Sequence, residues 1–495
     1  MVEEKKKNIL GYKIKRFFDS KLVGLCLSFI QFVVTIVLLG ELLHFNILPV
    51  KYFLVVSFVF LLLSMCTFVL QYSKKFRCFG KVITVLFICV WSVGIYYLGT
   101  AKGMFETIAG ADTKTDVIQL YTMKASRIDS LEEINDEKIG ILMTLDRDNT
   151  NKMLKDIENK VGHEINIIEY TGWQDLVDAL YAGEVQAIVL NKTMVSVIIE
   201  HEGYENFKGL IKIVYYKNIE TQISVNTKKD ITNVPFVVYI SGIDERGNIS
   251  NNSRSDVNIL AVINPNTRQV LLLNTPRDYY VKLAMDGEPL DKLTHAGIYG
   301  VDMSMNTLGK LYGIDIDYFL RINFTGFEQV VDELGGVNVY SEYEFTSTEG
   351  YHFYKGNNFL DGESALAFAR ERRAFSTGDN QRGKNQMALI KAIIEEMISP
   401  SVLNDFGGLM ESIEESVQVS LSSSQISSLV RMQLNEGGGW NVVSYAVTGN
   451  GDTQYCYSLG KSAYVMLQNQ NSINDAKQLI QMVIDGKKIN LDEVQ

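Results

Sequence analysis

The pattern of hydrophobic positions divides the chain into an apolar first part and a mixed remainder. Three predominantly apolar stretches lie in the first hundred residues, at Leu22–Phe45, Tyr52–Tyr72 and Val82–Leu98. Each has roughly the twenty residues that an α-helix needs to cross a hydrocarbon core of about 30 Å. Because the stretches continue as a block of several spans, none resembles a cleaved signal peptide. The pattern therefore predicts a membrane part, residues 1–100, with three transmembrane helices.

Residues 101–232 alternate short apolar runs with amphipathic stretches. EKIGILM and VQAIVLN predict strands, and WQDLVDALYAGE between them predicts a helix that ends near Gly183. This alternation predicts an α/β domain. The stretch DALYAGEVQAIVLN is similar to part of one lobe of an extracellular solute-binding protein. Because the segment contains no constellation of charges or metal ligands, we interpret it as an accessory or partner-binding domain rather than a catalytic one.

Residues 233–495 predict a second α/β domain. FVVYISGID is typical of a buried strand, and VNILAVINP and TRQVLLLNTPRD predict two strands joined as a hairpin. Asp244, Arg254, Asp256 and Arg277 lie at the ends of these strands or in the loops beside them, where loops on a rigid sheet commonly carry function. For any one of these residues, a surface salt bridge is an equally good interpretation.

The stretch FARERRAFSTGDNQRGKNQ concentrates positive charge in an acidic chain. We interpret Phe368 and Ala369 as buried strand, which would direct Arg370 and Arg372 to the same side. The apolar spacing from Asp379 onward predicts a helix with Arg382 and Gln386 on one face. A solvated charged face is the alternative. Converging guanidiniums favour phosphate as the ligand, because their planar forks bind its oxygens in pairs.

The distribution of charge predicts the orientation in the membrane. The first 100 residues contain 12 Lys+Arg and 4 Asp+Glu, and the remaining residues contain 35 and 54, a formal net charge of −19. Basic residues precede the first span and separate the second from the third, whereas the loop between the first two spans has only Lys51. By the positive-inside rule the N-terminus is cytoplasmic and everything after about residue 100 is extracellular. An acidic external part argues against nucleic acid as a partner.

Cysteine usage argues against a disulfide in the external part, and the absence of three motifs argues against three classes of enzyme. Of the five cysteines only Cys456 lies outside the membrane part, so no disulfide within the external part of one chain is expected. The sequence contains no GxSxG elbow at a strand end, no HExxH and no GxxxxGK[ST] loop. Serine hydrolase, zincin and nucleotide-driven kinase chemistry therefore have no support.

A series of motifs in the second domain resembles the LytR-CpsA-Psr family of Gram-positive cell envelopes. These motifs are SGID, NSRSDVNIL, LLLNTPRDYYV, KLTHAGIYG, DYFLRINFTGFEQVVDELGGVNV and LDGESALAFARERRAFSTGDNQRGKNQ, in the family's order over roughly residues 236–400. The three spans and the intervening domain are similar to the capsule-associated branch. The resemblance implies a C-terminal α/β domain with a central mixed sheet flanked by helices.

The same resemblance implies a phosphotransferase outside the membrane. It would move a glycopolymer, capsular polysaccharide by the branch resemblance, from a polyprenyl-pyrophosphate carrier to peptidoglycan, with pyrophosphate hydrolysis as a side reaction and capsule-assembly proteins as further partners. The implied pyrophosphate-binding residues are Arg254, Arg277, Arg370, Arg372, Arg382 and Gln386. Asp244 and Asp256 match the family's ligands for Mg²⁺ (or Mn²⁺). Arg277 and Asp379 are the implied catalytic residues, with Asp379 orienting an arginine or acting on the incoming hydroxyl.

Some roles stay open at this point. Lys292 and Lys310 are both candidates for a phosphate contact, and by the resemblance Asn306 stands where several relatives would have a basic residue. His295 is more readily interpreted as structural than as a general base. A different class of function is also compatible with the arginines: a membrane-anchored protein that senses lipid-linked polymer and modulates its assembly without turnover. The acids expected at the metal favour the enzyme, since binding alone does not need them.

Overall fold

The computed structural model describes residues 19–134, 137–143, 146–223, 229–243, 249–375, 378–397 and 416–489. Its α-helices are Lys21–Phe45, Val50–Leu70, Arg77–Ile108, Arg147–Val161, Trp173–Ala182, Lys192–Ile198, Phe207–Leu210, Leu293–Ala296, Val301–Tyr312, Phe324–Glu333, Gly362–Arg370, Asp379–Met397, Ser423–Glu436 and Gln470–Ile484. Its strands are β1 (Thr113–Met123), β2 (Lys138–Leu142), β3 (Asn166–Tyr170), β4 (Ala187–Asn191), β5 (Ile211–Gln222), β6 (Phe236–Ile243), β7 (Val257–Asn264), β8 (Gln269–Asn274), β9 (Tyr280–Lys282), β10 (Leu290–Lys292), β11 (Tyr318–Asn323), β12 (Val337–Ser341), β13 (Phe345–Thr346), β14 (His352–Phe353), β15 (Gly356–Leu360), β16 (Val417–Val419), β17 (Asn441–Ala446), β18 (Gly449–Cys456) and β19 (Lys461–Gln468).

The described residues divide into two compact units, and the first contains the apolar helices. Within the described ranges, three helices are long and apolar enough to cross a membrane: Lys21–Phe45, Val50–Leu70 and Arg77–Ile108. The three predicted apolar helices are thereby confirmed, and the third helix begins earlier and ends later than the predicted stretch. The Ser423–Glu436 helix belongs to the same unit, where Nζ of Lys51 donates a 3.0 Å hydrogen bond to the carbonyl oxygen of Asn435.

Polar side chains connect the first two apolar helices. Oγ1 of Thr67 donates to Oε1 of Gln31 over 2.7 Å, and the hydroxyl oxygens of Thr35 and Ser64 lie 3.1 Å apart. All four side chains are buried between the helices. Hydrogen bonds of this kind stabilise helix pairs where no water is available to satisfy a polar group.

The second unit contains two larger sheets, and the first is an α/β sheet with the strand order β3-β2-β4-β1-β5. Strand β2 pairs in parallel with β3 and β4, while β1 pairs antiparallel with β4 and β5. The predicted strands in EKIGILM and VQAIVLN are β2 and β4. The predicted helix between them is Trp173–Ala182, and it ends at Gly183, whose φ of 75° is the left-handed conformation that glycine adopts without strain.

The second sheet has the order β16-β11-β6-β7-β8-β17 and is of mixed direction. Strands β7 and β8 form the predicted antiparallel hairpin, whereas β6 pairs in parallel with β11 and β8 pairs in parallel with β17. Most side chains of β6, β7 and β8 are buried, because helices that include Val301–Tyr312 and Gln470–Ile484 pack against the sheet. The loops after β6 and β8 carry the candidate site residues.

One local prediction is wrong. The segment containing Phe368 and Ala369 is not a strand but the end of the Gly362–Arg370 helix. The Asp361 side chain caps this helix by accepting from the backbone N–H of Ser364, and the alanine-rich sequence that follows favours helix. Arg370 therefore ends a helix and Arg372 lies in the following loop, so the two do not share one face of a strand.

Candidate functional site

Arg277 lies at the centre of a group of charged side chains just after β8. Its Nη1 donates to Oδ1 of Asp256 over 2.8 Å, and its other nitrogens lie 3.9 Å from carboxylate oxygens of Asp278 and Glu200. The side chain is 14% exposed. Burial acts to lower the pKa of Arg277, but the charges of Asp256, Asp278 and Glu200 raise it, so the guanidinium stays charged.

The Nε–H of Arg277 is buried and has no hydrogen-bond acceptor among the described residues. A buried donor without an acceptor costs free energy, so such groups usually have a partner in the functional complex. The backbone around this group is fixed: the N–H of Thr294 donates to the carbonyl oxygen of Arg277 over 2.9 Å. The site therefore presents a buried guanidinium whose Nε–H no described residue accepts, which suits an anionic ligand.

Asp256 is positioned by the loop that enters β7. Its backbone N–H donates to the carbonyl oxygen of Gly242 over 2.8 Å, which connects this loop to the end of β6. Its Oδ1 also accepts from the hydroxyl of Thr294 at 3.3 Å. The contacts of its carboxylate with other described residues all use Oδ1, which leaves Oδ2 for a further ligand.

Arg382 and Asp379 come from the start of the Asp379–Met397 helix and form an ion pair. Arg382 is largely buried. The helix start lies against the end of β8, because a Cβ on Gly383 would overlap with the side chain of Asn274. Burial and the charges of Asp278 and Asp256 raise the pKa of Asp379, although Arg382 and Arg277 act in the opposite direction.

Two further pairs complete the group. Nζ of Lys292 lies 3.1 Å from Oδ1 of Asp278. Arg254 pairs with Glu200, a residue of the first sheet's domain. We define the charged cluster as the eight residues that are joined by these contacts and by the electrostatic effects on Asp379. Its cationic members are Arg254, Arg277, Lys292 and Arg382. Its acidic members are Glu200, Asp256, Asp278 and Asp379.

The predicted residues Arg370 and Arg372 make no contact with the charged cluster among the described interactions. Nη1 of Arg370 lies 3.7 Å from Oε1 of Glu349, and its guanidinium carbon lies 4.5 Å from the centroid of the Phe324 ring. Arg370 lines a cleft of about 470 Å³ whose walls also include Glu328 and Glu363. Arg372 is exposed, and the described contacts include no hydrogen bond or ion pair of its side chain.

Gln386 and Asp244 are two further residues that the sequence predicts for the site. Nε2 of Gln386 donates to the carbonyl oxygen of Ala369 over 3.2 Å, so its amide is used to join two helices. Asp244, predicted as a metal ligand, lies outside the described residues. Within the described residues no group of three or more His, Cys, Asp or Glu side chains has a metal-binding arrangement.

Sequence reasoning misses Glu200 and assigns no role to Asp278. Asp278 follows Arg277 directly in TPRD, so its position next to a predicted site residue could have identified it as a further site residue. Glu200 stands in VIIEHEG, in a domain that contains no recognisable charged motif. Only the packing of the two domains places this carboxylate beside Arg254 and Arg277.

Comparison with known proteins finds two matching sequence families. The LytR_cpsA_psr family matches residues 210–475, which is more than half of the chain. A family described as DNA polymerase processivity factor matches residues 74–190, which is less than half of the chain and includes the whole of the apolar Arg77–Ile108 helix, which is long enough to cross a membrane. We draw no function from the second match.

Relatives with curated names are similar over the same region. A polyisoprenyl-teichoic acid–peptidoglycan teichoic acid transferase TagU of Bacillus mycoides (strain KBAB4) is 36% identical over 203 residues, which cover 41% of this chain and 66% of the relative. The TagU of Bacillus cereus (strain AH820) is 32% identical over 231 residues, which cover 46% of this chain and 75% of the relative.

Solved structures match over about half of the chain. The crystal structure of B. subtilis TagV aligns with a TM-score of 0.43 at 24% identity and covers 52% of this chain and 99% of that one. The structure described as TagT bound to LI-WTA aligns with a TM-score of 0.42 at 29% identity and covers 52% of this chain and 94% of that one.

Proposed function

The chain belongs to the LytR-CpsA-Psr family, and from this premise we propose that it is a phosphotransferase of the cell envelope. Its substrate is a glycopolymer linked to a polyprenyl pyrophosphate, its acceptor is a hydroxyl of peptidoglycan, and its second product is polyprenyl phosphate. The names of the relatives support this class of reaction, since they describe transfer of a polyisoprenyl-linked teichoic acid to peptidoglycan. For this chain we propose capsular polysaccharide as the polymer, on the similarity of its three spans and accessory domain to the capsule-associated branch.

The observation that carries the proposal is the unpaired Nε–H of the buried Arg277 within the charged cluster. A pyrophosphate diester bears two negative charges and several acceptor oxygens, so it can satisfy this donor and further guanidinium donors at once. Arg254 and Arg382 belong to the same cluster. Three arginines from separate segments in one cluster support a diphosphate as the ligand.

The reaction requires one bond to form and one to break. The acceptor hydroxyl oxygen attacks the phosphorus that carries the glycan, and the bond from this phosphorus to the bridging oxygen breaks. The electron pair leaves with polyprenyl phosphate, and the hydroxyl proton passes to Asp379. Burial keeps the pKa of Asp379 above the ordinary value, which makes it a stronger proton acceptor than an exposed aspartate. The arginines stabilise the charge that develops on the leaving phosphate.

We propose that Asp256 helps to hold a divalent cation such as Mg²⁺ or Mn²⁺. Mg²⁺ usually takes one or two carboxylates together with substrate phosphates, and the described contacts of Asp256 leave its Oδ2 for such a cation. Asp256 would hold the cation with Asp244, the second predicted ligand. Such a cation would supply charge neutralisation at the phosphate oxygens.

We also propose that both sheet domains are extracellular. Three apolar helices follow a lysine-rich N-terminus, and the loop between the second and third contains further basic residues. By the positive-inside rule an odd number of crossings leaves the acidic remainder outside, where peptidoglycan is located.

The proposal is tested with the full chain in membranes, a short synthetic glycan-pyrophosphate-polyprenol, and peptidoglycan oligomers as acceptor. We expect polyprenyl phosphate to be released with Mg²⁺ and a phosphodiester to form on the acceptor. Arg277→Ala should abolish the release. Arg147→Ala is the matched control, because Arg147 forms a 2.7 Å ion pair with Glu169 and has no described contact with the charged cluster. Tight binding of the lipid without product under any of these conditions would establish the sensor alternative instead.

A further inference from the structure

The accessory domain contributes a charged group to the proposed pyrophosphate site. Oε1 of Glu200 pairs with Nη1 of Arg254 and lies 3.9 Å from Nη2 of Arg277. One carboxylate oxygen thus contacts two of the arginines expected to bind the substrate. Burial acts to raise the pKa of Glu200, but the charges of Arg254 and Arg277 contribute to bringing it below the ordinary value, so the group stays ionised.

Glu200 lies on a turn that is fixed in a core shared by both domains. Its neighbour His201 is buried, with its ring centroid 4.4 Å from that of Trp173 in an edge-on arrangement. Nε1 of Trp173 in turn donates to the carbonyl oxygen of Leu459 in the second domain over 3.0 Å. The surrounding core combines residues of the first sheet's domain with Ile298 and other buried residues of the second.

The segment before Arg254 is also attached to the accessory domain. The backbone N–H of Thr115 in β1 donates to the carbonyl oxygen of Ser250, and the N–H of Asn252 donates to the carbonyl oxygen of Thr115. Nδ2 of Asn252 donates to Oδ1 of Asp116 over 2.9 Å. The accessory domain therefore fixes both the carboxylate and the loop that carries its guanidinium partner.

These contacts argue against the alternative that Glu200 is a movable plug, which would occupy the site in place of the substrate and leave when the substrate binds. A carboxylate that vacates the site when substrate arrives needs a mobile segment, whereas Glu200 lies on a turn in a core shared by both domains and residues 250–252 before Arg254 are held by backbone hydrogen bonds. A buttressing carboxylate reduces the conformational freedom of a long guanidinium side chain before the ligand binds. The 2.8 Å contact of Asp256 with Arg277 is of the same kind.

Resting on the function proposed above, we infer that Glu200 is a positioning residue for Arg254 and Arg277, and that the accessory domain completes the pyrophosphate-binding site. The accessory domain is then part of the catalytic unit for a lipid-linked diphosphate substrate. Glu200 acts through the two arginines and does not react with the substrate.

The test measures kcat and KM for the glycan-pyrophosphate-polyprenol with the full chain in membranes. We expect Glu200→Gln to raise KM roughly tenfold with kcat changed less than about twofold, because Arg254 and Arg277 remain present to stabilise the leaving phosphate while their positions before the substrate binds are less restricted. Glu200→Asp should recover part of the affinity, since it keeps the charge. Glu169→Gln is the matched control: it removes a partly exposed accessory-domain carboxylate that is paired with Arg147, and its KM should equal that of the wild type.

A double mutant separates positioning from a general effect on folding. In an Arg254→Ala background, Glu200→Gln should change KM much less than in the wild type, because its main partner is already absent. Equal effects in both backgrounds, an unchanged KM in Glu200→Gln, or a rate increase that reveals a plug would each overturn the inference. An inactive wild-type protein would instead contradict the proposed function, so the two failures are distinguishable.

Discussion

Nη1 of Arg277 lies 2.8 Å from Oδ1 of Asp256. One residue was predicted to contact phosphate and the other to hold a metal ion, and the structure makes them direct partners. A carboxylate in this position orients the guanidinium and leaves its second oxygen for another ligand. The contact therefore connects the two predicted parts of the site.

The geometry of the Arg277 guanidinium should matter as well as its charge. We expect Arg277→Lys to lower kcat/KM for transfer by about ten- to a hundredfold, equivalent to roughly 1.5–3 kcal/mol, because lysine cannot replace a planar fork with several fixed donors. Release of polyprenyl phosphate measures the effect. Arg147→Lys is the control, and wild-type kcat/KM in Arg277→Lys would show that only charge is needed.

Arg382 should contribute more to substrate binding than Arg370. Arg382 is largely buried and belongs to the charged cluster, whereas the Arg370 side chain is 44% exposed and lies near Glu349 and Phe324. We expect Arg382→Ala to weaken binding by about 1.5–3 kcal/mol and Arg370→Ala by less than about 1 kcal/mol. Binding of the lipid pyrophosphate to each variant in membranes tests this order. The reverse order would place the substrate at the Arg370 cleft.

Removal of the Asp256 carboxylate should change the response to metal. We expect Asp256→Asn to raise the Mg²⁺ concentration for half-maximal activity at least about tenfold, because a ligand or a neighbouring negative charge is lost. Activity measured over a range of Mg²⁺ and Mn²⁺ concentrations shows the shift. Asp302→Asn is the control, since Asp302 pairs with Lys114 and not with the charged cluster. An unchanged metal response would remove Asp256 from the metal site.

The acidic limb of the pH–rate profile should depend on Asp379. As a proton acceptor it must be ionised, and its pKa is raised by burial and by Asp278 and Asp256. The rate should therefore fall as the pH decreases through that raised pKa, at a pH above the ordinary value of about 3.9. We expect Asp379→Asn to lower kcat and to remove this limb. A limb that persists in the variant would assign the titration to another group.

The buried pair of Asp291 and His295 should stabilise the fold rather than act in catalysis. Oδ1 of Asp291 lies 2.6 Å from Nδ1 of His295, and its Oδ2 accepts from the backbone N–H of Ser458 at 2.7 Å. We expect Asp291→Ala to lower the free energy of unfolding by about 3–5 kcal/mol, since two buried donors lose their acceptor. Unfolding followed by tryptophan fluorescence measures the change. Asp129→Ala, which breaks an exposed pair with Lys212, should cost less than about 1 kcal/mol.

The same pair predicts a pH dependence of stability. Burial acts to raise the pKa of Asp291, but His295 and the hydrogen bonds from Ser458 bring it below its ordinary value. A carboxyl with a depressed pKa stabilises the folded state at neutral pH and loses that contribution only as the pH falls below about 3.9 and through the folded-state pKa. The stability difference between the wild type and Asp291→Ala should therefore shrink only in acid.

The sequence by itself determined the elements whose signals are local. Runs of about twenty apolar residues predicted the three long helices, and the turn between β7 and β8 predicted their hairpin. The order of motifs was enough to identify the family. The same motifs also proposed Arg277, Asp256, Arg382 and Asp379 as site residues, and their roles stay a prediction. The segment before Arg370 was the exception, because its short apolar run resembles a strand although Asp361 and the alanines favour helix.

Only the tertiary structure decided which charges meet. Glu200 and Arg254 are 54 positions apart and belong to different domains, so no periodicity relates them. Ion pairing depends on distance and burial, which follow from how the two domains share a core, and not from the local spacing that shapes helices and strands. For the same reason Arg370 and Arg382, close in one motif, lie in different surroundings, while a glutamate without any motif contacts two of the predicted arginines.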